Sequence, residues 1–354
     1  MWLTPGIENW PGAFPYFYLI FFLSIIILLN INLSRRLEFF LFIISIFYLI
    51  IFSGLRDDTG GDWYRYNKSY ENITYFNFKL ADSGFSYLML FSKYLGFSFN
   101  IFILFISIIF FIFFYQSYKN EKNLILILII ATPYLVHVVL LGYIRQAIAC
   151  IIFIYSLQYL IKKRFKSHFL LIIISSFFHI SAIVNIIFII LLQRHRLKYY
   201  LFIIPLFVYL FYNLHSEHIN RILYFYVGEG KHLISYGALI RWIITAIPSI
   251  IFIIYSTKLS KNESEKKVYF LISILVILSL PFVIINSTVA DRLIIYLVPI
   301  QLLVFSRLNL IFSSNILKYF VNIFVILYYN AINFTFIAFA QHSISWLPYN
   351  FWLL

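Results

Sequence analysis

Long apolar runs, each closed by a short polar cluster, repeat along the chain. They lie at 16–33, 38–54, 99–116, 124–141, 145–161, 199–213, 241–256, 268–286, 291–311 and 319–340. Each is about as long as a helix needs to cross a bilayer, allowing for tilt and local thinning. The pattern predicts an all-α polytopic membrane protein of about ten transmembrane helices. A further run, 168–192, is flanked by Lys162, Lys163, Arg164 and Lys166 on one side and Arg194, Arg196 and Lys198 on the other. A single span would strand one basic cluster outside. A hairpin of two short helices, turning at Phe178-His179-Ile180-Ser181, keeps both clusters inside. Backbone turned at that depth must be buried in protein or line a wet cavity.

With the hairpin, both termini lie outside, and two outer loops are substantial, at about 55–98 and 215–240. In the first, Phe85, Leu88, Phe91 and Leu95 recur at helical spacing and predict an amphipathic helix over 84–97, lying on the membrane–water boundary. No internal repeat or linker breaks the chain, so 1–354 reads as a single transmembrane domain. The inner loops are too short for a catalytic domain. Any chemistry belongs in the membrane or at its outer face.

Composition agrees: 63% of residues are hydrophobic and 11% are charged, a balance no soluble domain of this size carries. The net charge of +14 invites a nucleic-acid reading. Under the predicted topology nearly all of that excess falls on inner loops, so it orients the chain, and nucleic-acid binding is set aside. What topology leaves unexplained is a set of outer-side cations at span ends: Arg56, Arg145, Arg241 and Arg292. A charge at the hydrocarbon boundary is costly unless it snorkels or finds a partner. Cys150 is the single cysteine, which excludes a disulfide framework and a thiolate metal site. Residues 1–15 lack the basic start of a cleavable signal peptide. No Gly-Lys-Ser/Thr phosphate loop and no Gly-x-Ser-x-Gly elbow occurs, and His215, His218 and His232 lack a zinc spacing. No metal and no cofactor is expected.

The candidate chemistry clusters at the outer ends of spans. Arg56, Asp57, Asp58 and Asp62 stand together with Gly54, Gly60 and Gly61. Glycines admit close backbone approach to an anion, and a guanidinium grips phosphate with two parallel N–H bonds. The plainer alternative is a solvated turn. Trp63, Tyr64, Tyr66 and Tyr70 are either interface anchors or platforms for sugar rings. Arg145, with Gln146 beside it, sits one turn inside a span, where an arginine either snorkels or faces a polar cavity. His179, at the hairpin tip, is either a hydrogen-bonded core histidine or a base. Asp291 and Arg292 either neutralise one another or leave Arg292 pointing inward with Tyr296 one turn later.

Taken in order, Gly54-Leu55-Arg56, Gly61-Asp62-Trp63-Tyr64-Arg65-Tyr66, Asp82-Ser83-Gly84-Phe85 leading to Leu95-Gly96, Ile144-Arg145-Gln146, Phe178-His179-Ile180-Ser181-Ala182, Asp291-Arg292 with Tyr296, and Pro348-Tyr349 span most of the chain. In them the sequence resembles the EpsG family of Wzy-like polysaccharide polymerases. Asp82 departs from the family pattern, which reads Glu-Pro-Gly there. The resemblance implies a metal-independent, GT-C-type glycosyltransferase of the bacterial inner membrane. It would join undecaprenyl-pyrophosphate-linked oligosaccharide units at the outer face, with membrane lipid around it and a chain-length regulator as a candidate partner. Arg56, Arg145 and Arg292 would hold the pyrophosphate. Asp62, Asp82 or His179 would supply a base, and Tyr64, Tyr66, Gln146 and Tyr296 would contact sugar. An O-antigen ligase shares the same membrane plan, and a lipid-linked glycan flippase is the non-enzymatic alternative.

Overall fold

In the computed structural model, residues 12–29, 33–74, 83–193, 235, 237–340 and 342–353 are described, and helices dominate them. They form two compact units. One comprises the described residues before 79 together with Phe85–Ile151 and Leu302 onward; the other comprises Ser83, Gly84 and the described part of Ile152–Gln301.

The first unit begins with α1 (Pro15–Leu28) and α2 (Arg35–Gly54). Ser34 caps α2 by accepting the Leu37 amide, and Glu38 adds a negative charge to the positive end of the helix. A two-residue strand, β1 (Arg56–Asp57), leads into α3 (Trp63–Asn72), α4 (Ser83–Tyr94) and α5 (Phe99–Tyr118). The buried face of α4 is Phe85, Met89 and Ser92, whereas Phe91 and Leu95 are 57% and 47% exposed. The helix expected over 84–97 is present, but its packed stripe is set by α3 and α5. The Tyr70 hydroxyl of α3 donates to the Phe97 carbonyl (2.9 Å) and shares a hydrogen bond with the Ser92 hydroxyl (3.0 Å). Lys93 donates to the Tyr70, Glu71 and Ile73 carbonyls at the end of α3, so it caps that helix.

α2 packs against α5, where Ser53 meets Ser107 at 3.0 Å and Phe42 stacks on Tyr115. α6 (Leu124–Ala131) widens into π-helical turns over Thr132–Leu140, starting beside Pro133, which lacks the N–H an α-helix needs. α7 (Ile144–Ile161) carries the chain out of this unit.

In the second unit α8 (Phe165–Phe178) ends at His179, whose backbone is extended, and 3-10 turns over Ile180–Ile186 lead into α9 (Ile187–Leu192). The break falls at the tip of the predicted hairpin. α10 (Ala238–Leu259) pairs with α11 (Glu263–Leu278), and Trp242 donates to the Val276 carbonyl at 2.8 Å. Their connection is locked by Asn262, which accepts from the Glu265 amide while Glu265 accepts from the Lys261 amide. α12 (Leu280–Ile285) and α13 (Ser287–Ile294) follow. α14 (Pro299–Arg307) returns the chain to the first unit, which α15 (Asn315–Phe339) and the two-residue strand β2 (Asn350–Phe351) complete.

Among the described residues, six helices are long and apolar enough to cross a membrane: α2, α5, α7, α10, the continuous Glu263–Ile285 and α15. Ser287–Leu297 with Pro299–Ile311 makes a seventh if that pair, bent by 48° at Pro299, is one span. Pro15–Leu28, Leu124–Leu140, Phe165–Phe178 and Ile180–Leu192 are apolar but shorter. The described residues thus support six to seven spans. The predicted run at 199–213, and nearly all of the predicted outer loop at 215–240, lie outside them.

Candidate functional site

In the first unit the motif residues gather where α2, α3 and α7 end or begin. Arg56 leaves α2 two residues after Gly54 and is only 1% exposed. Its Nε donates to the Thr59 carbonyl at 2.9 Å, Nη1 to the Ser53 carbonyl at 2.5 Å and Nη2 to the Leu141 carbonyl at 3.1 Å. One guanidinium therefore fixes the course of the loop after α2 and ties it to the start of α7. Burial lowers its pKa to about 10, an effect opposed by the phenols of Tyr16, Tyr349 and Tyr66, so it stays cationic at neutral pH.

The loop is closed from above by the C-terminal segment. β1 pairs antiparallel with β2, Arg56 opposite Phe351 and Asp57 opposite Asn350. The Gly60 amide donates to the Ser345 carbonyl at 2.7 Å, the Trp352 amide to the Leu55 carbonyl at 2.7 Å, and Tyr349 Oη to the Phe52 carbonyl at 2.6 Å. Gly60 has φ +111°, and a Cβ there would stand 2.1 Å from the Leu141 oxygen. The Trp346 ring lies against Gly142, where a Cβ would come within 2.6 Å of it. Trp346 Nε1 donates to the His137 carbonyl, and His137 Nδ1 bonds to Asn333 Oδ1 at 2.8 Å. Nothing in the local pattern announces this clamp beyond Pro348-Tyr349, because it pairs residues nearly 300 positions apart.

Tyr66 is buried, and two arginines lie over its ring. Arg145 Cζ lies 5.5 Å and Arg65 Cζ 5.7 Å from its centroid. Arg145 Nε also donates to Tyr66 Oη at 3.3 Å. Arg65 in turn bonds Asp62 Oδ2 at 3.0 Å. Asp62, Arg65, Tyr66 and Arg145 thus form one continuous polar chain, and Arg56 lies close enough to Tyr66 to feel its phenol. Asp57 accepts from Asn100 at 3.4 Å. Gln146 is buried on α7 next to Arg145, whereas Tyr64 is 70% exposed. Asp82 lies outside the described residues.

In the second unit His179 Nδ1 meets Ser181 Oγ at 2.7 Å, and Ser181 Oγ meets Tyr296 Oη at 3.0 Å. Tyr296 is buried edge-on against Phe153. Two predicted site residues, 117 positions apart, are therefore joined by a hydroxyl to which the sequence reading assigned no role. Its signal was available: a serine two residues beyond a histidine at a helix break.

Asp291 and Arg292 are not each other's partner. Asp291 takes both N–H arms of Arg241, Oδ1 from Nε at 2.5 Å and Oδ2 from Nη2 at 2.7 Å, and Ser235 bridges the pair. Arg292 is exposed on α13, four residues before Tyr296.

A multi-pass helical membrane protein whose first unit brings together Asp62, Arg65, Tyr66 and Arg145 from separate motifs defines the class. The EpsG family pattern matches residues 39–351, nearly the whole chain, and the chain belongs to this family of Wzy-like polysaccharide polymerases. No curated protein and no solved structure matches it.

Proposed function

We propose that the chain joins undecaprenyl-pyrophosphate-linked oligosaccharide units by glycosyl transfer at the outer face of the bacterial inner membrane, with both termini on that face. The bond from the donor's anomeric carbon to its pyrophosphate oxygen breaks, and the pyrophosphate leaves on its lipid. A hydroxyl of the next lipid-linked unit forms the new bond and gives its proton to a base. The observation that carries the reading is the Asp62–Arg65–Tyr66–Arg145 chain, which sets a carboxylate and a guanidinium around an aromatic ring in a family of polysaccharide polymerases.

Arg145 of the first unit, or else Arg292 of the second, holds the pyrophosphate, because fixed guanidiniums help most where charge develops on a leaving group. Arg56 contributes its charge and the order of its loop. Asp62 or Asp82 is the first choice of base, and His179, coupled to Tyr296, is the next. Tyr64, Tyr66, Gln146 and Tyr296 contact the sugars.

Gene deletion tests this. A polymerase leaves surface glycans capped at one repeat unit. Loss of surface glycan with lipid-linked units held inside the cell identifies a flippase, and full-length polymer that fails only to reach its final acceptor identifies a ligase.

A further inference from the structure

The membrane boundary opposite Arg56 carries a second basic site. α2 has 20 residues, about 30 Å at helical rise, so Arg35 at its start and Gly54 at its end lie on opposite sides of the apolar layer. Beside that start is a cavity of about 440 Å³ lined by Arg35, Arg36, Phe39, Lys119 and Asn120. We propose that this cavity binds the phosphate of an anionic membrane lipid.

Arg35 is the fixed part of the site. Its guanidinium donates to the Lys122 carbonyl at 3.0 Å, the Lys119 carbonyl at 3.3 Å and Glu38 Oε2 at 3.0 Å, which draws the end of α5 against the start of α2. The two nearby carboxylates are already engaged. Glu38 also accepts from the Leu124 amide at 2.7 Å, and Glu121 is gripped by Arg307 through both oxygens. Arg36 makes no hydrogen bond or ion pair with the described residues, and the Lys119 ammonium lies over the Tyr115 ring at 5.3 Å. The cavity therefore presents positive charge that the protein does not neutralise.

The surroundings select a lipid over a free anion. Arg36 heads the stripe of α2 that runs through Phe40, Ile44, Phe47 and Ile51 at spacings of three and four residues, all of them exposed. A phosphate held by Arg36 and Lys119 places acyl chains along that stripe. Charge at the headgroup level and apolar surface below it match an anionic phospholipid.

The purified full-length chain in neutral detergent is titrated with a phosphatidylglycerol and, separately, with a phosphatidylcholine of the same chains, and bound lipid is counted by native mass spectrometry. The wild type retains the phosphatidylglycerol preferentially. R36Q/K119Q weakens that binding by about thirtyfold, the usual contribution of two basic side chains near a membrane surface, while R36K/K119R keeps it. Equal retention of the two lipids, wild-type binding by R36Q/K119Q, or loss of binding in both double variants overturns the proposal. So does displacement of the lipid by an equal concentration of inorganic phosphate, which would make the site one for free anions.

Discussion

Arg145 lies with its guanidinium carbon 5.5 Å from the centre of the Tyr66 ring and donates from Nε to the same residue's hydroxyl. The two residues come from separate motifs, one opening α7 and one on α3. Their meeting converts two short sequence matches into one piece of geometry. A guanidinium seated on an aromatic face loses less freedom when it takes up an anion, because its plane is already set.

Arg145→Ala should abolish chain extension while protein level in the membrane stays at the wild-type value. The loss expected from removing one fixed donor to a leaving group is about a hundredfold or more. Arg145→Lys keeps the charge but not the planar fork, and should recover only a minor part. Glycan ladders on gels read the result. A wild-type ladder from Arg145→Ala would end the pyrophosphate-clamp assignment.

Tyr66→Phe and Tyr66→Ala separate the two contacts Arg145 makes. The phenylalanine keeps the ring beneath both arginines and removes one acceptor, so polymerisation in membrane preparations should fall about fivefold. The alanine removes the platform as well and should approach the Arg145→Ala phenotype. Equal activity in the two variants would show that the ring contributes nothing.

How much of this was legible beforehand differs by element. Hydropathy located α2, α5, α7 and α15 to within a few residues, since lipid demands apolar length wherever a helix crosses. The chain break at His179 followed from basic clusters on both flanks. Asp62, Tyr66 and Arg145 stood out because charge and aromatics at span ends are costly unless used. Arg56 was visible as a cation, but its burial on three carbonyls was not, because that depends on β2 and Trp346 folding back from the far end of the chain. The partner of Asp291 was equally hidden: the adjacent Arg292 was the obvious choice, and Arg241 lies 50 residues away. Local pattern fixes elements, whereas pairings across that distance depend on how the helices pack.

Ser181→Ala and Tyr296→Phe test whether the His179–Ser181–Tyr296 chain acts as a unit. Each substitution should lower the initial polymerisation rate by about a hundredfold, the lower end of what general acid–base catalysis contributes. The double variant should be little worse than either single one, since both break the same chain. Losses that multiply would show that Ser181 and Tyr296 act independently. Losses below twofold would make the chain a packing feature.

Gly60→Ala should destabilise the first unit by about 2 kcal/mol or more. Its φ of +111° disfavours any side chain, and the new Cβ would collide with the Leu141 carbonyl, the same oxygen that accepts from Arg56. The melting temperature of the purified protein in detergent should drop, and extension should drop with it because the loop bearing Asp62 loses its anchor. An unchanged melting temperature would mean the loop has another route past Leu141.

Arg241→Gln and Arg292→Gln should divide stability from activity. Arg241 holds Asp291 through two bonds, with side chains 23% and 17% exposed, so its loss leaves a half-buried carboxylate without its counter-ion. The expected cost is about 1–2 kcal/mol, less than for a fully buried pair because water reaches both groups. Chain extension per folded molecule should be largely retained. Arg292 is exposed and is assigned to the pyrophosphate, so Arg292→Gln should extend poorly per folded molecule. Melting curves and glycan ladders from the same preparations make the comparison. If Arg292→Gln extends normally while Arg241→Gln does not, the roles of the two arginines must be exchanged, and Asp291 becomes part of the reacting site.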